Sequence, residues 1–222
     1  MSRLVCGALA VPIVAATVLG TVAQADVAAA STVVALWHMN ETSGTTMVDS
    51  SGHHNSGTLH NVTLGASGFS GKAYSFNGTS SYVSVPNSAS LKPGSANITI
   101  SFYLNTTSLP KSGDYDLVRK GAYPSQNYKV ELLQTGQIDC TFTGSSSARD
   151  VIGGSGLNDG VWHHIQCSKT SSHIKVVVDG GVTTASATTG SISNTTEADI
   201  GAHPSGGDWY NGELDQVWIG IG

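Results

Sequence analysis

The chain has 222 residues, with 10 Lys and Arg against 15 Asp and Glu, a formal net charge of −5. An acidic chain without a basic stripe lacks the electrostatic footprint of a nucleic-acid binder, which excludes that class of partner. Only 11% of residues are charged, and Gly, Ser and Thr are abundant, a composition suited to many short strands joined by tight turns.

The first element in chain order is an export signal. Arg3 supplies the positive start, residues 4–22 form an apolar run, and Ala23-Gln24-Ala25 gives a small-x-small cleavage site. Pro12, Thr17 and Gly20 interrupt the run, so processing near Asp26 is favoured over a retained anchor, and Cys6 leaves with the segment. The processed chain carries 9 basic against 15 acidic side chains, a net charge of −6. Residues 26–32 read as a loose terminus. No later segment is apolar enough to span a bilayer, and a secreted monomer is expected.

Residues 33–222 read as one all-β domain. Ile98, Ile100, Phe102 and Leu104 alternate with Thr99, Ser101 and Tyr103, the period-two pattern of a strand with one buried face. Similar runs occur at 33–39, 73–76, 82–85, 128–133, 138–142, 162–168, 174–178 and 214–219. Turn chemistry separates them: Ser51-Gly52, Asn77-Gly78, Thr135-Gly136, Asp179-Gly180-Gly181 and Asn211-Gly212 all tolerate positive φ. Parity places Cys140 with Ile138 and Phe142, and Cys167 with Ile165, so both sulfurs point inward, as a disulfide or as two buried thiols. The same count turns His163 inward and His164 outward, for packing and not catalysis. Trp37, Trp162 and Trp218 belong to strand patterns and are expected in the core. Six Asn-x-Ser/Thr sites, from Asn40 to Asn194, read as ordinary β surface, since the Ala-rich leader looks bacterial.

The order and spacing of several segments carry a resemblance. They are Leu36-Trp37-His38-Met39-Asn40-Glu41, Val48-Asp49-Ser50-Ser51-Gly52-His53-His54-Asn55, Gly71-Lys72-Ala73-Tyr74-Ser75-Phe76-Asn77-Gly78, Leu157-Asn158-Asp159-Gly160-Val161-Trp162-His163-His164-Ile165 and Gly212-Glu213-Leu214-Asp215-Gln216-Val217-Trp218-Ile219. Together they resemble the laminin-G-like, concanavalin A-like jelly-roll family of the bacterial type. The resemblance implies an all-β sandwich of two antiparallel sheets, six or seven strands each, with one concave outer face. The first and last strands would lie side by side, and a chain ending there would be a stand-alone module. Cys140 and Cys167 would fall on neighbouring strands and form a disulfide closing a loop of about 27 residues, worth roughly 3–4 kcal/mol.

The resemblance also implies a structural Ca²⁺ held by Asp49 and Asp215 with backbone oxygens near residues 54–57. The alternative is that Asp49 shapes a turn and Asp215 bonds nearby backbone. Glucanases of this architecture need a third acid on the strand carrying Glu213-Leu214-Asp215, where Val217 and Trp218 stand instead. Glu197-Ala198-Asp199 and Asp114-Tyr115-Asp116 fail in the same way. Lyases need a His where Asp139 follows Gln137-Ile138.

A carbohydrate-binding surface remains. A pyranose stacks its apolar face on an aromatic ring while fixed polar groups take its hydroxyls. The candidates, read as loop residues, are Tyr115, Tyr123 and Asp208-Trp209-Tyr210, with Arg119 and Asp116 as polar partners. The reading is a secreted, non-catalytic recognition module for carbohydrate or a cell-surface glycan. Its rivals are a polysaccharide-degrading enzyme on the same scaffold and a protein-binding adhesion domain.

Overall fold

The computed structural model describes residues 31–222 of the chain. The export segment expected over 1–25, with Cys6, lies outside the described residues. So do residues 26–30 of the expected loose terminus, whereas Thr32 already pairs with Ile221.

In chain order the strands are β1 (Thr32–Trp37), β2 (Thr46–Met47), β3 (Gly57–His60), β4 (Thr63–Ser67), β5 (Lys72–Asn77), β6 (Tyr82–Val85), β7 (Ile98–Asn105), β8 (Asp114–Lys120), β9 (Asn127–Leu133), β10 (Ile138–Thr143), β11 (Ala148–Gly153), β12 (His163–Lys169), β13 (His173–Val178), β14 (Gly181–Ser186), β15 (Ala198–Ile200) and β16 (Asn211–Ile221). Sheet I runs β14-β13-β12-β7-β16-β5-β4, with β1 also on β16; sheet II runs β11-β10-β9-β8-β15-β6-β3-β2. Every pairing is antiparallel, and each sheet has eight strands, more than the six or seven that the resemblance implied. The extra strands are short edge pieces such as the two-residue β2. Among the described residues no helix is long and apolar enough to cross a membrane.

Alternation decides which face each strand buries. In β7 the side chains of Ile98, Ile100, Phe102 and Leu104 enter the space between the sheets, where they meet Trp37, Tyr74, Phe76, Tyr128 and Phe142. The first and last strands do lie side by side, with Leu36 opposite Trp218 and Trp37 opposite Val217. The turn joining β13 to β14 needs positive φ at two successive positions, which Asp179 (φ 49°) and Gly180 (φ 83°) supply.

Cys140 and Cys167 form a disulfide with Cα atoms 5.7 Å apart. The strands are not neighbours in one sheet: Cys140 sits on β10 of sheet II and Cys167 on β12 of sheet I, so the bond crosses the core. Parity read both sulfurs as inward, and inward from two facing sheets means toward each other.

Trp37 is fully buried, its Nε1 donating to the Asn55 carbonyl at 2.8 Å. Trp162 and Trp218 are only half-buried and are not core residues. Trp162 precedes β12, and the bulge in β16 between Asp215 and Trp218 resets the alternation before Trp218 is reached. His163 bonds Asp179 (2.6 Å) and Asp159 (3.1 Å) at the rim of the core, while His164 on the outer face bonds Ser101 (2.8 Å).

Candidate functional site

The outer face of sheet II carries a row of charged side chains under little solvent. Val130, Leu132, Ile138, Cys140, Ala198 and Ile200 point into the core, so the residues between them project the other way. Register then aligns Asp199 with Arg119, Arg119 with Lys129, Asp116 with Glu131, and Glu131 with Asp139. In a regular strand Asp116 and Arg119, three residues apart, would face opposite sides. A bulge between Asp116 and Val118 puts both Leu117 and Val118 into the core and brings the two charges onto one face.

There Arg119 Nη1 donates to Asp116 Oδ2 at 2.5 Å, and its Nε and Nη2 donate to the Gly121 carbonyl at 3.2 and 2.8 Å. Lys129 pairs with Glu131. Both cations are thereby engaged, and the acids outnumber them. Asp116 is 1% exposed and Asp199 8% exposed. One oxygen each of Asp114, Asp116, Asp139 and Asp199 is buried without a hydrogen-bond partner.

Burial raises these carboxyls. Asp199 is pushed to about 7 by burial and then by Glu197; Asp139 to about 6 by burial and then by Asp150; Asp116 to about 6 by burial, against the opposing pull of Arg119. The folded chain holds protons at these acids more tightly than the unfolded chain, whose carboxyls titrate near 3.8. Their contribution to stability is therefore fully present below about pH 4 and is lost as pH rises toward 7. The melting temperature is expected to be higher at pH 5 than at pH 8, and Asp199→Asn should shrink the difference. A melting temperature rising across that window would contradict the assignment.

The segment between β15 and β16 folds over this row. It starts at Gly201, with φ 82°, where an added Cβ would lie 2.3 Å from the Phe76 ring. Asp116 N donates to the Asp208 carbonyl (3.1 Å), which ties the segment to β8. His203 Nδ1 lies 3.8 Å from Asp208 Oδ2, and burial, then Arg119, hold its imidazole below the ordinary value. The second half of the segment walls a groove of about 470 Å³ whose lining includes Asn77, Asp114, Tyr115, Asp208, Trp209 and Asn211. The first half walls a hollow of about 260 Å³ lined by Arg119, Glu197, Asp199 and His203.

A family model described as the concanavalin A-like lectin/glucanases superfamily, of laminin G type, matches residues 77–220. The chain belongs to this superfamily. Among solved structures of similar fold, the binding domain of Paraclostridial Mosquitocidal Protein 1 aligns with TM-score 0.66 and 18% identity, over 86% of this chain and 48% of that one. The binding domain of botulinum neurotoxin DC, in complex with SialylT, gives 0.64 and 13% over 86% and 47%. Domain 4 of AbnA, an extracellular GH43 arabinanase from Geobacillus stearothermophilus in complex with arabinotriose, gives 0.54 and 17% over 86% and 93%. At these identities the likeness is one of fold. The chain spans about half the length of the toxin binding domains it matches.

Within this superfamily scaffold, three of the residues proposed for ligand contact, Tyr115, Asp208 and Trp209, line the larger groove. Tyr115, Asp116 and Arg119 are on strand β8, not in loops, and Asp116 and Arg119 lie beneath the folded-over segment. Tyr210 is fully buried, its hydroxyl donating to the carbonyls of Asn105 (2.9 Å) and Glu213 (3.2 Å), so it is a core residue and not a ligand platform. Tyr123 is 76% exposed and lines neither cavity.

The two residues expected to hold calcium differ in how far the protein itself engages them. Asp49 accepts from Leu36 N, Ser51 N, Asn55 N and Ser51 Oγ, which occupies both its oxygens in shaping the turn after β2. Asp215 Oδ2 accepts from Ser70 N at 2.8 Å, while its Oδ1 is buried without a hydrogen-bond partner. Among the described residues, donor atoms of three His, Asp or Glu side chains converge within 4.8 Å at Asp116, His203 and Asp208, and at Asp114, Asp116 and Glu131.

Lys129, Glu131 and His203 went unrecognised in the sequence, and Asp114, Asp139 and Asp199 entered only as failed catalytic motifs. Period-two alternation around Val130 already turns Lys129 and Glu131 away from the core. What alternation omits is which strands share that face.

Proposed function

We propose that the chain is an exported, non-catalytic recognition module that holds carbohydrate in the groove at Trp209. The observation that carries this reading is the half-buried Trp209 ring in the groove wall, with the Asp114 and Asp208 carboxylates beside it. A sugar ring can stack on the indole while the carboxylates accept its hydroxyls. The ring is backed by Tyr82, 5.8 Å away edge-on, which itself stacks on His60 at 4.2 Å. This backing keeps the platform from collapsing inward. The arabinotriose and SialylT complexes of the fold neighbours support a glycan ligand, and the leader pattern together with the disulfide supports export.

The hydrolase reading has one observation in its favour, the approach of Asp114, Asp116 and Glu131. Of these only Asp114 lines the groove, while Asp116 and Glu131 are bound to Arg119 and Lys129. Titration against a panel of polysaccharides is expected to show binding without release of reducing ends. Trp209→Ala should weaken binding at least about tenfold, an effect in the range measured for stacked aromatic anchors, while leaving the melting temperature within a few degrees. Undiminished binding by Trp209→Ala would move the site elsewhere, and turnover would replace a lectin with an enzyme.

A further inference from the structure

Glycan binding at this face leaves open which glycans it selects, and the charge balance bears directly on that choice. Arg119 and Lys129 are the two basic side chains in the row, and each is consumed by a carboxylate next to it. Asp114, Asp139, Asp199 and Asp208 remain without a Lys or Arg ion-pair partner. Asp199 is the most extreme. It is more than nine-tenths buried, has no hydrogen bond to its carboxylate, and lines the 260 Å³ hollow together with Glu197. Buried acceptors without donors are costly in a folded protein, and a bound group that brings N–H donors and positive charge would relieve the cost. A sialylated or uronate-bearing chain would add negative charge to the same place and be repelled.

We infer that the hollow at Asp199 and Glu197 is a subsite for an unsubstituted amino group on a sugar, so that the module prefers glycans carrying free amines over neutral or acidic ones. An ammonium has three donors, and the hollow, which Arg119 and His203 also line, is bordered by Asp199, neither of whose carboxylate oxygens is hydrogen-bonded, and by Glu197; Arg119 is already held by Asp116. The subsite lies across the folded-over segment from Trp209: residues 203–205 wall the hollow, and residues 206–209 wall the groove. An oligosaccharide crossing that segment would stack one ring on Trp209 and deliver the amine of another to Asp199. The inference rests on the carbohydrate reading above and adds the chemical class of ligand.

Calorimetric titration of the full chain with glucosamine hexamer, N-acetylglucosamine hexamer and cellohexaose tests it, at one pH and in the presence of EDTA. The glucosamine hexamer is expected to bind about tenfold or more tightly than the other two. Asp199→Asn should remove most of that preference while leaving the neutral hexamers within twofold. Because this change neutralises an unpaired buried carboxylate, the variant should melt no lower than the parent, which separates loss of the subsite from loss of fold. Equal affinities for the three hexamers, or a preference that survives Asp199→Asn, overturn the amine subsite while the carbohydrate reading stands. Absence of binding to any of these hexamers and to every other glycan tried overturns both. Binding that appears only when EDTA is replaced by a divalent ion also overturns the inference, since the acids would then be serving a metal.

Discussion

Loss of the Cys140–Cys167 disulfide should lower the melting temperature by about 10 °C. The bond closes 27 residues of chain, and removing such a loop constraint from the unfolded ensemble costs roughly 3–4 kcal/mol in the chain-entropy model. For a domain of this size each kcal/mol moves the midpoint by about 2–4 °C. The connection between β10 and β12 spans the interior, so the two strands are joined by no backbone ladder, only by packing and by this bond. Cys140→Ala with Cys167→Ala is the suitable variant, because both side chains are fully buried and alanine leaves no polar group behind. A shift under about 2 °C would mean that packing alone fixes the two sheets at this end.

Arg119→Ala should destabilise the fold by about 3–5 kcal/mol, the range for stripping one partner from a buried ion pair. The variant leaves the Asp116 carboxyl 1% exposed without its partner, and it deprives the Gly121 carbonyl of both its guanidinium donors. Arg119→Lys should recover only part of the loss, since an ammonium cannot bridge Asp116 and Gly121 with a planar fork. Arg119→Met combined with Asp116→Leu should recover most of it, because a buried pair replaced on both sides by apolar groups is often close to neutral. If the single and double variants are equally unstable by denaturant titration, the loss comes from packing and not from the orphaned carboxylate.

The parts of the fold visible in the chain were those set by local alternation. Residues 98–104 alternate so regularly that β7 and its buried face follow directly, and the Asp179-Gly180 turn follows from the two residues that accept positive φ. Relations between strands were less visible. Parity turned Cys140 and Cys167 inward, but whether inward meant the same sheet or the facing one depends on strand order, which the family resemblance placed differently. Tyr210 follows Asp208 and Trp209 in what reads as a surface loop, yet it is the residue at which the chain enters the core. The bulge in β8 is a one-residue irregularity without a residue-type signature, and without it Asp116 and Arg119 would lie on opposite faces. The acidic row was least visible of all, because it draws one or two residues from each of β15, β8, β9 and β10, and only register assembles them.

On the carbohydrate reading the ligand lies in the groove at Trp209, where the loops after β5 and before β8 meet the segment leading into β16. A crystal structure of the protein with the oligosaccharide it binds most tightly tests this directly. The account predicts a sugar ring stacked on Trp209 with hydroxyls directed at Asp114 and Asp208. Density for the sugar on the outer face of sheet I, where Phe69 stacks on Tyr103 at 3.7 Å and Tyr103 in turn meets His164, would contradict it.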